Sequence, residues 1–253
     1  MKVSIITTVF NNKETIEDTI LSVLSQSYPD IEYIVVDGGS TDGTLDVIKK
    51  YQERIDKFVS EKDRGLFDGL NKGIKMAEGE IIGILHSDDL FFNKDVIGKV
   101  VEKMSSKKAD LCWGDLVYVK RDNPEKIVRY WKSSSYEKGL FKKGWMPPHT
   151  TFFAKKEAFE KYGYYNLDLD MAADYELMLR FLEKEGLSSC YIPEVLVKMR
   201  VGGVSDRSFK NIKQIIKNNF DCLRAWKVNN MKVNPFNILV VKPFSKVFQR
   251  VKK

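Results

Sequence analysis

Apolar positions in the first hundred residues switch between two periods. Residues 3–9 form a continuous, largely β-branched run, as a strand buried on both faces requires. After the polar stretch Asn11-Asn12-Lys13-Glu14, the residues Ile16, Ile20, Val23 and Leu24 recur at helical spacing until Tyr28-Pro29-Asp30 breaks the pattern. The same alternation predicts strands at 31–36, 58–61 and 81–85, with helices at 45–51 and 66–77 between them. Strand, helix and strand in succession predict an α/β chain with a doubly wound sheet. Beyond Phe92 the pattern predicts helices at 94–104, 155–162 and 173–184, and strands at 109–113, 117–119, 128–130 and 191–200. The stretch from Gly139 to Pro148 leads into His149-Thr150-Thr151-Phe152-Phe153, a loop entering a strand, and 202–205 reads as a flexible loop.

Polar residues concentrate at one end of the predicted strands. Thr7-Thr8 with Asn11, then Asp37, Asp63-Arg64 and Asp88-Asp89, all follow strand carboxyl ends, where open α/β sheets bind their ligands. The loop Asp37-Gly38-Gly39-Ser40-Thr41-Asp42-Gly43 lacks Gly-x-Gly-x-x-Gly spacing and follows the second strand, which disfavours a nicotinamide cofactor. Asp37 reads either as a turn residue capping its own backbone or as an acceptor for a base N–H. Asp88-Asp89 reads as a helix-capping pair or as two repelling carboxylates relieved by Mg²⁺ or Mn²⁺. His86 is a ligand neighbour, a ribose contact or a spacer. Asp174 and Glu176 open a helix, where they favour the helix dipole or supply a general base.

Charge sharpens the division of the chain. The protein has 253 residues and a net charge of +7, yet residues 207–253 carry 12 basic groups and one acidic group, leaving residues 1–206 at −4. The expected organisation is a body over 1–206 and a basic, amphipathic helical extension over 207–253. Basic residues there interleave with apolar ones, and Lys246-Val247-Phe248-Gln249-Arg250-Val251 suggests a short helix with a cationic border. Such a segment settles on an anionic membrane surface, or packs on the body as a solvated helical pair. An acidic body with carboxylate-lined clefts argues against nucleic acid. Cys112, Cys190 and Cys222 are far apart and read as reduced cytosolic thiols; with two histidines and no Cys-x-x-Cys, zinc is disfavoured. The amino terminus runs directly into a strand pattern rather than a signal peptide, and no apolar run nears the roughly 20 residues of a membrane span.

As an ordered set, these blocks resemble bacterial family 2 glycosyltransferases of the GT-A fold. Residues 3–11, the block from Ile34 through Asp37-Gly38-Gly39-Ser40-Thr41-Asp42-Gly43-Thr44, and Ser60-Glu61-Lys62-Asp63-Arg64-Gly65 through Asn71-Lys72-Gly73 carry the resemblance. So do Ala77-Glu78-Gly79-Glu80 before Ser87-Asp88-Asp89, and Ala173-Asp174-Tyr175-Glu176. The match spans about residues 1–205 and implies a mixed sheet flanked by helices. It also implies inverting transfer of a hexosyl or N-acetylhexosaminyl group from a UDP-sugar to a lipid-linked saccharide, in capsule, O-antigen or exopolysaccharide synthesis. By that resemblance Thr8 and Phe10 flank the uracil, Asp37 accepts from its N3–H, and Arg64 lies near the base or diphosphate. Asp88 contacts ribose or metal, Asp89 binds Mg²⁺ or Mn²⁺, and Asp174 is the base. His149, His86 and Glu176 are possible donor or acceptor contacts. His86 stands where relatives more often carry Asp or Asn, and no histidine follows His149, which implies an altered metal site filled together with the donor. The implied location is the cytoplasmic face of the cell membrane, held peripherally by the basic extension. Two other functions remain: a catalytically silent nucleotide-sugar-binding partner, and a nucleotidyltransferase, which Thr7-Thr8-Val9-Phe10-Asn11 disfavours for want of a Gly-rich basic loop.

Overall fold

The computed structural model describes residues 1–169, 172–202 and 212–241. Among them one nine-stranded mixed sheet organises the chain. Four parallel strands form its first part: β1 (Val3–Val9), β2 (Ile31–Asp37), β3 (Lys57–Ser60) and β4 (Ile81–Ile84), in the order β3-β2-β1-β4. The second part is mixed. β8 (Phe153–Lys155) runs antiparallel to β4 and also pairs β6 (Leu111–Val119), beside which β9 (Ser189–Arg200) lies parallel. The two-residue β5 (Leu90–Phe91) borders β9, and β7 (Ile127–Trp131) borders β6.

Helices cover both faces because every residue of β1 is buried and needs apolar neighbours on each side. One core joins Val3, Ile5 and Val35 to α1 (Ile16–Leu24) and α4 (Val96–Lys107); the other joins Ile6, Ile34 and Val36 to α3 (Leu66–Met76) and α6 (Ala173–Leu179). The helix α3 approaches β1 so closely that a Cβ at Gly73 would stand 2.5 Å from Ile6 Cγ2, so only glycine lets it seat. The short helices α2 (Thr44–Lys49) and α5 (Lys156–Tyr162) complete the layers.

Three expectations change. The strand read as 109–113 and 117–119 is one strand, β6, continuous through Gly114 and the buried Asp115. That carboxylate accepts from Tyr130 Oη and Tyr191 Oη at 2.6 Å each and from Ser133 N at 2.7 Å, which offsets its burial. The helix expected over 173–184 is α-helical only to Leu179 and closes in a π turn over Arg180–Lys184. The boundary at residue 206 is one of charge, and packing crosses it. In α7 (Ile212–Val228) Cys222, Ala225 and Trp226 are buried, and they join the core of α3 and α6 together with Ile238. Trp226 Nε1 donates to Tyr175 Oη at 2.9 Å. The expected loop beyond Gly202 and the amphipathic segment 246–251 lie outside the described residues. No described helix is long and apolar enough to cross a membrane.

Candidate active site

The site lies where the carboxyl ends of β1, β2, β4 and β6 converge. At its β2 edge Asp37 is fully buried and anchored through one oxygen. Oδ2 accepts from Gly39 N and Ser40 N at 3.0 Å each and from Ser60 Oγ at 2.7 Å. Oδ1 is buried with no protein partner, and so is Thr8 Oγ1. An unsatisfied buried acceptor costs about 1–3 kcal/mol, so Asp37 Oδ1 is set for a donor from outside the chain. Phe10, 64% exposed, forms the lip. Two glycines keep the floor bare. A Cβ on Gly38 would lie 3.3 Å from Asp63 Oδ2 and 3.5 Å from Phe10 Cδ2, and one on Gly69 would lie 2.8 Å from Asp63 Oδ2 and 3.2 Å from Thr8 Cγ2. Asp63 is held by Lys72, whose ammonium is stabilised by hydrogen bonds to Asp63 and Glu61 that push its pKa up. Arg64 is exposed beside this floor, with its backbone N–H on Asp68 Oδ2 at 3.0 Å.

Asp88 and Asp89 follow β4 in a turn closed by Asp89 N–H on His86 O at 2.9 Å. Helix α1 braces the turn: Thr15 Oγ1 donates to Ser87 O at 3.0 Å and Thr19 Oγ1 to Asp89 O at 2.9 Å. Asp89 is 1% exposed; Oδ1 accepts from Arg200 N at 3.2 Å, and Oδ2 has no protein partner. Burial, reinforced by the charge of Asp88, pushes the Asp89 pKa well above the usual carboxylate range. Burial also raises Asp88, against the opposing pull of Arg121, whose Nη1 lies 3.8 Å from Asp88 Oδ2. Arg200 laces the turn to the rest of the site, donating to Asp88 O at 3.1 Å and Arg121 O at 3.2 Å and pairing with Asp18. Two carboxylates raised by burial, Asp89 also by the charge of Asp88 and with a buried free oxygen, suit a hard divalent cation. Among the described residues no cluster of three or more His, Cys, Asp or Glu converges at metal-ligand spacing.

Across from the carboxylate turn stands Asp174, in the first turn of α6. Its Oδ1 accepts from Tyr175 N at 2.6 Å, and its Oδ2 lies 3.7 Å from His149 Nδ1. His149 in turn faces His86, with ring centroids 5.8 Å apart. Burial first, and the charge of His149 second, lower the His86 pKa to about 3, so that imidazole is neutral. Three side chains that the sequence offers separately as site candidates, His86, His149 and Asp174, are brought together.

Glu176 is not. It is buried beneath α6, where Arg180 binds it through Nε at 2.9 Å and Nη2 at 3.0 Å, and Asn229 Nδ2 donates to it at 2.8 Å. Arg180 also holds the carbonyls of Tyr162, Gly163 and Tyr164. A carboxylate so fully paired fastens helix to loop and is closed to a sugar, which corrects its reading as a contact. Arg121 and Arg200 escaped the sequence reading; Asp63 was read at a strand carboxyl end but given no role of its own. The two arginines reach the site from the ends of β6 and β9, far along the chain.

Residues 4–163 match glycosyl transferase family 2. A glycosyltransferase of Mycobacterium tuberculosis is 36% identical over 184 residues, 70% of this chain and 68% of its own. A Bacillus subtilis glycosyltransferase named for teichuronic acid biosynthesis is 34% identical over 143 residues, 54% of this chain and 56% of its own. Among solved structures, the mannosyltransferase PcManGT of Pyrobaculum calidifontis, in complex with GDP-Man and Mn²⁺, aligns over 98% of this chain and 70% of its own with TM-score 0.68 and 20% identity. Staphylococcus aureus TarS with UDP-GlcNAc aligns over 96% of this chain and 72% of its own with TM-score 0.66 and 16% identity. At those identities the structural likeness is one of fold, and that fold is GT-A. Sequence match and architecture coincide, and the chain belongs to glycosyl transferase family 2.

Proposed function

We propose that the protein transfers a sugar from a UDP-sugar to a hydroxyl of a lipid-linked saccharide, with inversion at the anomeric carbon. The observation that carries this reading is the pair of buried, unpartnered oxygens at the strand ends, Asp37 Oδ1 and Asp89 Oδ2, on the same site as Asp174. Asp37 Oδ1 accepts the uracil N3–H, while Thr8 and Phe10 border the ring and Arg64 approaches the base or diphosphate. Asp89, with Asp88, holds Mg²⁺ or Mn²⁺, which when bound supplies positive charge against the departing diphosphate. Asp174 removes the proton of the acceptor hydroxyl as its oxygen forms the new bond to the anomeric carbon. The bond from that carbon to the diphosphate breaks, and UDP leaves with the electron pair. The relative named for teichuronic acid biosynthesis favours a surface-polysaccharide acceptor.

A peripheral seat on the inner face of the membrane follows from the basic extension. In its described part Phe220 and Phe236 are more than half exposed, near the exposed cations Lys227 and Lys232 in sequence. Apolar side chains with cationic neighbours suit an anionic bilayer.

The test is release of UDP from a panel of UDP-sugars with Mn²⁺ and an undecaprenyl-diphosphate-linked saccharide acceptor. Asp174→Asn and Asp89→Ala should each lose at least about 100-fold in turnover. Full turnover by either variant overturns its assigned role. Donor binding without turnover by the wild type on every acceptor supports the silent-partner reading instead.

A further inference from the structure

We infer that His149 is a positioning residue for Asp174, its Nδ1–H fixing carboxylate oxygen Oδ2 in the orientation that meets the acceptor hydroxyl. The inference rests on the reading of Asp174 as the base. Three observations carry it. First, the two oxygens of Asp174 are used differently: Oδ1 is committed to Tyr175 N at 2.6 Å, so Oδ2 is the oxygen that remains for a proton, and His149 Nδ1 is 3.7 Å from it. That separation is long for a hydrogen bond, and such contacts tighten when substrate closes the site. Second, the imidazole is itself held. His149 opens a 3-10 turn (His149–Thr151) after two prolines, and the fully buried Thr151 Oγ1 lies 2.9 Å from Pro148 O and 3.0 Å from Gly114 O, fastening the turn to β6. A side chain on a clamped turn orients its neighbour at little entropic cost.

Third, among the described residues Asp174 is a carboxylate that stands within ion-pair distance of His149. From the β4 turn, the His86 ring faces His149 with 5.8 Å between centroids, and Asp88 Oδ2 has Arg121 Nη1 at 3.8 Å. Tyr165, from the loop before α6, is kept protonated by burial and by the charge of Asp174. His149 and Asp174 are 20% and 22% exposed, open enough for a hydroxyl to enter and dry enough for orientation to matter.

The experiment compares His149→Ala and His149→Asn in the wild-type and Asp174→Asn backgrounds. The amide nitrogen of Asn takes the place of Nδ1, so His149→Asn keeps the donor that Ala removes. His149→Ala should lower kcat about 10–100-fold with the donor KM within about twofold, and His149→Asn should restore kcat to within about fivefold of wild type. In the Asp174→Asn background, His149→Ala should cost less than about twofold further, because the oxygen it orients is gone. An unchanged kcat in His149→Ala, equal losses in Ala and Asn, or the same loss in both backgrounds overturns the inference. If Asp174→Asn itself keeps full turnover, the proposed base fails and this inference with it. If Asp174→Asn is inactive while His149→Ala is not impaired, the base stands and only the role of His149 falls.

Discussion

The two sides of the cleft are built by different physics. On the nucleotide side, Thr8, Asp37 and the Asp88-Asp89 turn sit at the ends of parallel strands, and Asp37 is anchored by backbone amides close in sequence, Gly39 N and Ser40 N. On the base side, Asp174 stands on a helix that side chains from far along the chain hold in place. Arg180 spans from Glu176 to the carbonyls of residues 162–164, Asn229 closes Glu176 from α7, and Trp226 seals Tyr175. Asp37 is held locally, so substitutions there should change binding more than folding. The base side depends on a buried ionic clamp, so substitutions there should change folding before chemistry.

The largest expected effect tests that contrast directly. Arg180→Met leaves the Glu176 carboxylate buried with only Asn229 as its remaining side-chain donor, and should destabilise the protein by about 3–5 kcal/mol in urea or thermal unfolding. The double variant Arg180→Met with Glu176→Leu should recover most of the loss, since a well-packed apolar pair does not bear the cost of an unpaired charge. A loss below about 1 kcal/mol in the single variant would place the two sides of the cleft on the same footing.

The next effect comes from a buried carboxylate under the nucleotide side. Glu32 is 2% exposed and accepts from Ser4 Oγ, from Glu78 N at 2.8 Å and from Lys57 at 2.9 Å. Burial alone raises its pKa, but these hydrogen bonds prevail and bring it from 4.5 down to about 2. A carboxyl whose folded pKa lies below its unfolded value contributes stability above pH 4.5, and that stability is lost as pH falls toward 2. The shift corresponds to about 3 kcal/mol. Glu32→Gln should therefore unfold more readily at pH 7 and show a flatter stability profile between pH 4.5 and 2. An unchanged acid limb in urea titrations across that window would show that Glu32 does not set it.

The same contrast explains what could be read from the chain alone. The strands β1, β2, β3 and β4 fall within a residue or two of the apolar pattern, because strands covered on both faces demand long apolar runs. Asp37, Asp88 and Asp89 stand out because they end those runs. β5 did not, being two residues whose strand conformation is imposed by the neighbour it pairs with, and β8 showed only its start, as the strand entered at Phe153. β6 was read as two pieces because Gly114 and Asp115 look like a turn, whereas Tyr130, Tyr191 and Ser133 satisfy the aspartate inside the sheet. Glu176 looked like a site residue for the same reason: its partners Arg180 and Asn229 are fixed by tertiary packing, which one-dimensional spacing does not contain. For the +11 extension the choice between a membrane surface and packing on the body stayed open, since charge is visible in sequence and the burial of Trp226 is not.

The smallest effect sharpens the nucleotide side and leaves the fold alone. In Asp37→Asn the three donors on Oδ2 still need an acceptor, so the amide turns its oxygen toward Gly39 N, Ser40 N and Ser60 Oγ and its NH₂ toward the position of Oδ1. A group that accepted from outside the chain then donates. Uracil, whose N3 carries a proton, meets a second donor there; cytosine, whose N3 is an acceptor, meets a match. Asp37→Asn should weaken UDP by about 1–3 kcal/mol and narrow or reverse its advantage over CDP, measured by calorimetry with Mn²⁺ at fixed concentration, with the unfolding midpoint changed little. Equal loss for both nucleotides would remove Asp37 from base recognition and return it to its turn. A preserved UDP preference would move the base to another part of the cleft while leaving the contrast between the two sides to rest on stability alone.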